Sequence, residues 1–235
     1  MPVPRDEDDP DPAAGAPVTA GGAKRDAWRD PRVAAEYEAR RFRGPLARIK
    51  HRRDAALVLS ILRRAPAVQS VLDLPAGTGR LLPALGAAGY RAVGADVSAA
   101  MLEVARRALP ADLPLARADA ERLPFAAGAF DAVVCVRFLF HVSDPATRCT
   151  LLREMARVTA VLVVGEVAHR GTLKHLLRRL RGRLGAPSRC RRAPGRAEIA
   201  RELAAAGLDL ERLVPVSRLF SDKAFFVARP RRPAP

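Results

Sequence analysis

From Ser70 to Ala228 the chain alternates short apolar runs with stretches whose apolar residues recur every three or four positions. The runs are rich in Val, Leu and Ala and read as buried strands, and the stretches between them read as amphipathic helices. Strands are predicted at Ser70–Leu74, Arg91–Asp96, Leu115–Ala118, Ala129–Val136 and Val158–Val167, with helices at Arg80–Ala88, Ala99–Ala108 and Pro145–Ala156. Repeated strand–crossover–strand units predict a parallel, doubly wound α/β sheet, because a crossover helix returns the chain to lay the next strand in the same direction. A helix at Arg196–Ala206, closed by Gly207, precedes two extended runs, Leu208–Val216 and Lys223–Ala228. The turn expected at Ser221–Asp222 makes them an antiparallel pair that closes the sheet.

Upstream the texture differs. Residues 1–22 are Pro, Asp, Ala and Gly without periodicity and are expected to form a tail. Asp30 followed by Pro31 marks a helix start, with Ala34, Tyr37 and Arg41 beyond it. A second, arginine-rich helix is expected over Pro45–Arg64, with Leu46, Ile49, Leu57, Val58 and Ile61 as its apolar stripe. Residues 23–66 are thus expected to form N-terminal helices ahead of a main domain at 67–230, with a helical insertion expected at 168–196. Within that insertion Leu173, Leu176, Leu177, Leu180 and Leu184 share one face, with Lys174, Arg178, Arg181 and Arg183 mostly opposite. A basic amphipathic helix at 171–184 suits a lid over an acceptor, a peripheral membrane contact or a nucleic-acid arm.

Of the 235 residues 49% are hydrophobic and 28% charged, enough to bury one core, which excludes wholesale disorder and collagen-like or disulfide-framework classes. No run of about 18 apolar residues occurs, and the acidic start is unlike a signal peptide, so neither secretion nor membrane spanning is expected. Cys135, Cys149 and Cys190 fit neither a disulfide scaffold nor a CxxC metal site. A reducing cytoplasm and no metal are the corresponding expectations. The net charge of +16 invites a nucleic-acid reading. Nearly all of it is Arg in an Ala-rich chain, as GC-rich coding also produces, and aromatics at 5% leave few stacking platforms.

The densest chemical signal is Val71-Leu72-Asp73-Leu74-Pro75-Ala76-Gly77-Thr78-Gly79-Arg80-Leu81, an apolar strand breaking into a glycine loop and then a helix. Such a loop lets a ligand approach the backbone closely. Dinucleotide binding fits poorly, because Leu82 replaces the third glycine and Asp73 puts a carboxylate beside any pyrophosphate. A cationic ligand is favoured instead. Acid-x-x-x-Gly-x-Gly after one strand, with Asp96 ending the next, resembles class I S-adenosylmethionine-dependent methyltransferases, and the resemblance runs from about Val68 to Arg229.

That resemblance implies a Rossmann-like, doubly wound seven-stranded sheet, mostly parallel with an antiparallel last strand, and S-adenosylmethionine as cofactor. It implies that Asp73 orders the loop near the methionine ammonium and that Pro75, Ala76, Gly77, Thr78 and Gly79 pass beneath the cofactor. Asp96 is expected to accept from both ribose hydroxyls, with Val97 and Met101 beside it; the competing reading of Asp96 is a helix N-cap, which Ser98 supplies equally well. Asp119 and Ala120 fall where the family meets the adenine, and Val136 ends the strand facing the methyl donor.

In-line displacement at a sulfonium needs alignment more than an enzyme nucleophile. Arg137-Phe138-Leu139-Phe140-His141 lacks the Asn/Asp-Pro-Pro-aromatic tetrapeptide of amino-group methylases, and the chain lacks the Pro-Cys pairs of RNA cytosine methylases. His141 is the candidate general base, the alternative being a pocket-lining or backbone-capping histidine. Candidate substrate contacts are Tyr37, Arg137 and Glu166, with an Arg137–Glu166 pair as the structural alternative. Asp119–Pro124 and His141–Pro145 resemble methylases of ubiquinone and menaquinone biosynthesis and small-molecule O-methylases. The expected reaction is therefore methyl transfer to a hydroxyl or activated carbon of a small-molecule or lipid-like acceptor. An rRNA or tRNA methyltransferase and a non-catalytic, cofactor-binding regulatory protein are the alternatives.

Overall fold

The computed structural model describes residues 45–170, 194–217 and 221–231. Its elements are α1 (Pro45–Leu62), β1 (Ser70–Asp73), α2 (Leu82–Ala87), β2 (Arg91–Asp96), α3 (Ala99–Ala108), β3 (Leu115–Arg117), β4 (Phe130–Cys135), a 3-10 turn at Leu139–His141, α4 (Pro145–Val158), β5 (Thr159–Ala168), α5 (Arg196–Ala205), β6 (Leu208–Pro215) and β7 (Lys223–Pro230). The strands form a seven-stranded sheet in the order β3-β2-β1-β4-β5-β7-β6. β1 to β5 pair in parallel, whereas β7 runs antiparallel to both β5 and β6. The expected sheet is present, and its antiparallel member is the last strand, inserted between β5 and β6.

Burial on both faces explains why the central strands read as unbroken apolar runs. Leu72, Val133, Val163 and Phe226 face a core completed by Leu151, Leu152 and Met155 of α4 and by Ile199 and Leu203 of α5. Val71, Val134, Val164 and Phe225 face the opposite layer, with Val58, Ile61 and Leu62 of α1 and Leu82 and Leu85 of α2. Cys135 is fully buried in the first of these layers. The amino-terminal end of the central pair is fixed by Asp131, whose Oδ2 accepts from the backbone N–H of Gln69 at 3.0 Å and of Ser70 at 2.8 Å.

Two expectations need correction. The helix predicted from Arg80 starts at Leu82, because the chain first completes a turn in which Gly77 and Gly79 hold φ of +55° and +72°. In α1, Ile49 leaves the predicted apolar stripe and is 61% exposed. It precedes Val58 by about two and a half turns, which puts it on the opposite side of the helix from Val58, Ile61 and Leu62. The tail at 1–22, the helix bearing Tyr37 and the basic helix at 171–184 lie outside the described residues.

Candidate active site

The carboxyl ends of β1, β2, β4 and β5 converge at one edge of the sheet. In register Asp73 pairs with Gly94, so Asp96 projects two residues further along β2, past the end of β1. The loop after β1 is held to its neighbours by the backbone: Leu74 N–H donates to Val134 O at 2.9 Å and Ala76 N–H to Ala95 O at 2.8 Å. It then turns over the end of β2, where Gly77 N–H donates to Asp96 Oδ2 at 2.8 Å. A Cβ on Gly77 would meet nothing within 4 Å, whereas one on Gly79 would lie 2.4 Å from Leu109 Cδ1. Both glycines are demanded by positive φ, Gly79 also by packing, and Gly77 borders open space that a ligand can fill. Thr78 between them is buried and Pro75 half-buried.

Asp73 and Asp96 are buried at 3% and 7% exposure. Burial, followed by the neighbouring Asp96, pushes the Asp73 carboxyl up to about 8, and no hydrogen bond from the described residues reaches it. A cation brought beside such an acid lowers its pKa and favours the carboxylate. Asp96 is also raised by burial, partly offset by N–H donation from Ser98, Gly77 and Val97. Ser98 N–H reaches Asp96 Oδ1 at 2.9 Å, and Ser98 Oγ in turn caps α3 by accepting from Met101 N–H at 3.2 Å. Capping thus falls to Ser98, leaving the Asp96 carboxylate at the mouth of the site with remaining acceptor capacity. Val97 is half-buried and Met101 buried. Asp119 and Ala120 follow β3, both half-buried, with Asp119 Oδ1 accepting from Glu121 N–H at 3.0 Å.

The ends of β4 and β5 are tied by charges. Arg137, just past Val136, adopts φ of 58°, unusual for a residue with a Cβ. Glu166, 1% exposed, accepts the Arg137 N–H at 2.8 Å and pairs through Oε1 with Lys223 Nζ at 3.2 Å. The alternative of an Arg137 guanidinium paired with Glu166 is corrected: that side chain instead forks onto Asp54 Oδ2 of α1, at 2.6 Å from Nη2 and 3.1 Å from Nε. The geometry follows from the left-handed bend, which turns the Arg137 N–H toward β5 and the side chain toward α1. Lys223 Nζ also lies 4.1 Å over the Phe140 ring, and Arg148 of α4 donates to Leu139 O. The 3-10 turn bearing half-buried His141 is thus clasped from both sides. Cys135 contributes no nucleophile, since burial, then Asp73 and Glu166, drives its thiol far above the ordinary range.

Three of these residues escape sequence reasoning. Asp54 is the lone acid in the predicted arginine-rich helix and sits in step with Val58 and Ile61, a usable signal for a buried ion pair. His51, held below its usual value by burial and by Arg137 and Arg80, faces the same cluster. Lys223 carried no local motif. Among the described residues no group of three or more His, Cys, Asp or Glu is placed to hold a metal, and no helix is long and apolar enough to cross a membrane.

The seven-stranded sheet with its inserted antiparallel last strand, and the glycine loop flanked by two acids at successive strand ends, agree with the resemblance to class I S-adenosylmethionine-dependent methyltransferases. Residues 71–161 match the family Methyltransf_25, described as a methyltransferase domain. It is 40% identical over 121 residues to demethylmenaquinone methyltransferase of Renibacterium salmoninarum, covering 50% of this chain and 49% of that protein. To the protein of the same name from Clavibacter sepedonicus it is 46% identical over 79 residues, 33% of this chain and 32% of that one. The chain therefore spans about half or less of the length of these relatives. Among solved structures the fold is similar to magnesium protoporphyrin IX methyltransferase from Synechocystis, with TM-score 0.67 and 19% identity over 89% of this chain and 99% of that one. It is also similar to the CcbJ methyltransferase of Streptomyces caelestis, with TM-score 0.58 and 16% identity over 77% and 90% of the two chains.

Proposed function

We propose that this protein is an enzyme that transfers the methyl group of S-adenosylmethionine to a hydroxyl or activated carbon of a small, lipid-like acceptor of the quinol type. The observation that carries the cofactor reading is the pair of buried acids beside the open glycine turn. Asp73, with no donor among the described residues, suits an ammonium. Asp96, with acceptor capacity left, suits a vicinal diol, and Val97 and Met101 form the adjoining wall. Asp119 and Ala120 stand at the next strand end, in reach of an adenine lying along the edge. The donor supplies an electrophilic methyl on a positively charged sulfur, so the chain's residues have only to align it, exclude water and manage one proton.

His141 is the base in this scheme. Its turn is held by Arg148 and by Lys223 on Phe140, and its imidazole is the group placed to take a proton from a phenolic hydroxyl or an acidic ring carbon. Arg137 and Glu166 act from behind that turn, each already engaged by the protein. The acceptor class is supported by the demethylmenaquinone methyltransferases among the relatives.

The test is methyl transfer from S-adenosylmethionine carrying a deuterated methyl group into the lipid-soluble quinol fraction of a bacterial extract, read by mass spectrometry. A quinol heavier by one labelled methyl is expected. Label appearing only in water-soluble products or in RNA would refute the acceptor class.

A further inference from the structure

We propose that the outer face of α1 docks on an anionic lipid surface. Ile49 is, among the described residues, the one large hydrophobic side chain left exposed, at 61%. Around it Arg48, Arg52 and Arg53 stand at one-, three- and four-residue steps, and Arg63 and Arg64 continue the same face in the turn that closes the helix. Arg52 and Arg53 are neighbours of Ile49 on the helical surface, Arg48 flanks it one turn before Arg52, and all of them are exposed. Only Ala56 and Ser60 lie between, both short, and no acid interrupts the face. The one acid of α1, Asp54, points inward to Arg137, and Arg53 reaches its edge at 3.5 Å. Among the described residues no ion pair engages Arg48, Arg52, Arg63 or Arg64.

An apolar side chain ringed by arginines whose stems lie along the surface is the pattern of an element that rests in the headgroup region. Anionic headgroups neutralise the ring while Ile49 enters the acyl boundary. A nucleic-acid partner leaves the exposed isoleucine unexplained and finds no aromatic platform on this face. The consequence for function follows from the inner side of the same helix. Asp54 grips Arg137 at the end of β4, so a membrane held by the outer face of α1 lies one helix diameter from the site. A lipid-dissolved acceptor then reaches the enzyme without crossing water. That purpose rests on the acceptor class proposed above, but the docking does not.

The experiment is co-sedimentation of the full chain with vesicles of equal parts phosphatidylglycerol and phosphatidylcholine, against vesicles of phosphatidylcholine alone, at about 0.1 M salt. Binding to the anionic vesicles only is expected. Each cation near such a surface is worth about fivefold in partitioning, so R48Q/R52Q/R63Q/R64Q should lose several hundredfold. Ile49→Ser should lose about tenfold with no change in charge. A control, R91Q/R106Q/R107Q/R201Q, removes the same charge from exposed positions elsewhere and should retain most of the binding. Unchanged melting temperatures confirm that the variants are folded. The proposal is overturned if the α1 variant binds as the unmodified chain does, if the control loses as much, or if the protein binds duplex RNA while ignoring anionic vesicles. Vesicle binding without quinol methylation would leave the docking standing and remove the acceptor class alone.

Discussion

Asp73→Asn should stabilise the empty protein and weaken its grip on the cofactor, two effects of opposite benefit from one atom. In the unfolded chain Asp73 ionises near pH 4, whereas in the folded chain burial holds the proton until about pH 8. Because the folded pKa of this acid is raised, the folded state binds the extra proton between those values, and stability falls as pH rises through the window. Each pH unit costs about 1.4 kcal/mol, so from pH 4 to pH 7 the linked loss reaches about 4 kcal/mol as a ceiling. Asn mimics the protonated acid and cannot ionise, so the variant escapes that loss. For a chain of this size the gain corresponds to a melting temperature higher by roughly 8–16 °C at the ceiling. The assay is thermal unfolding of both proteins at intervals from pH 5 to pH 8. The two curves should lie closest at pH 5, where the linked loss is about 1.4 kcal/mol, and separate further as pH rises, the variant above. Parallel curves, or a variant that melts at or below the unmodified chain at pH 7.5, would refute the burial argument.

The same acid predicts proton release on binding: calorimetry with S-adenosylmethionine at pH 7 in buffers of different ionisation heat should count close to one proton per cofactor, and none with Asp73→Asn. Asp96→Ala should weaken cofactor affinity by about 1–3 kcal/mol in the same titration, the cost of leaving buried hydroxyls unpartnered; unchanged affinity would mean that the ribose lies elsewhere. Gly165→Ala sets a Cβ 2.4 Å from the Phe226 ring and 3.1 Å from Leu139, which begins the turn bearing His141. It should cost about 1–3 kcal/mol in urea unfolding, and methyl transfer should fall with it. Asp144→Ala removes the acceptor of the Thr147 N–H at 2.8 Å that caps α4 and should cost about 1 kcal/mol by the same measurement, with cofactor affinity unchanged.

How much of this was legible in the chain varies by element. Ser98 announced the start of α3, and the apolar runs of β1, β2, β4 and β5 marked strands buried on both faces. The acids and glycines of the site were legible because turn stereochemistry and charge restrict which residues serve there. What periodicity hid was set by tertiary partners. Ile49 counted as core because it is apolar, although its angular position on α1 puts it outside. Asp54 was concealed in a run of cations, and its partner Arg137 lies 83 positions away in the chain. The start of α2 was misplaced because the turn through Gly77 and Gly79 uses up the residues on which helical spacing begins. Lys223 enters the site only because β7 inserts beside β5, a pairing that no local pattern specifies.

The central claim is that the turn after β1 receives a cationic sulfur donor whose sugar is held by Asp96. A crystal structure with S-adenosylmethionine tests it most directly. The ribose hydroxyls should lie within hydrogen-bonding distance of the Asp96 carboxylate, and the ammonium beside Asp73. A donor bound at another edge of the sheet, or a phosphate-bearing nucleotide occupying this turn in preference to it, would contradict the account.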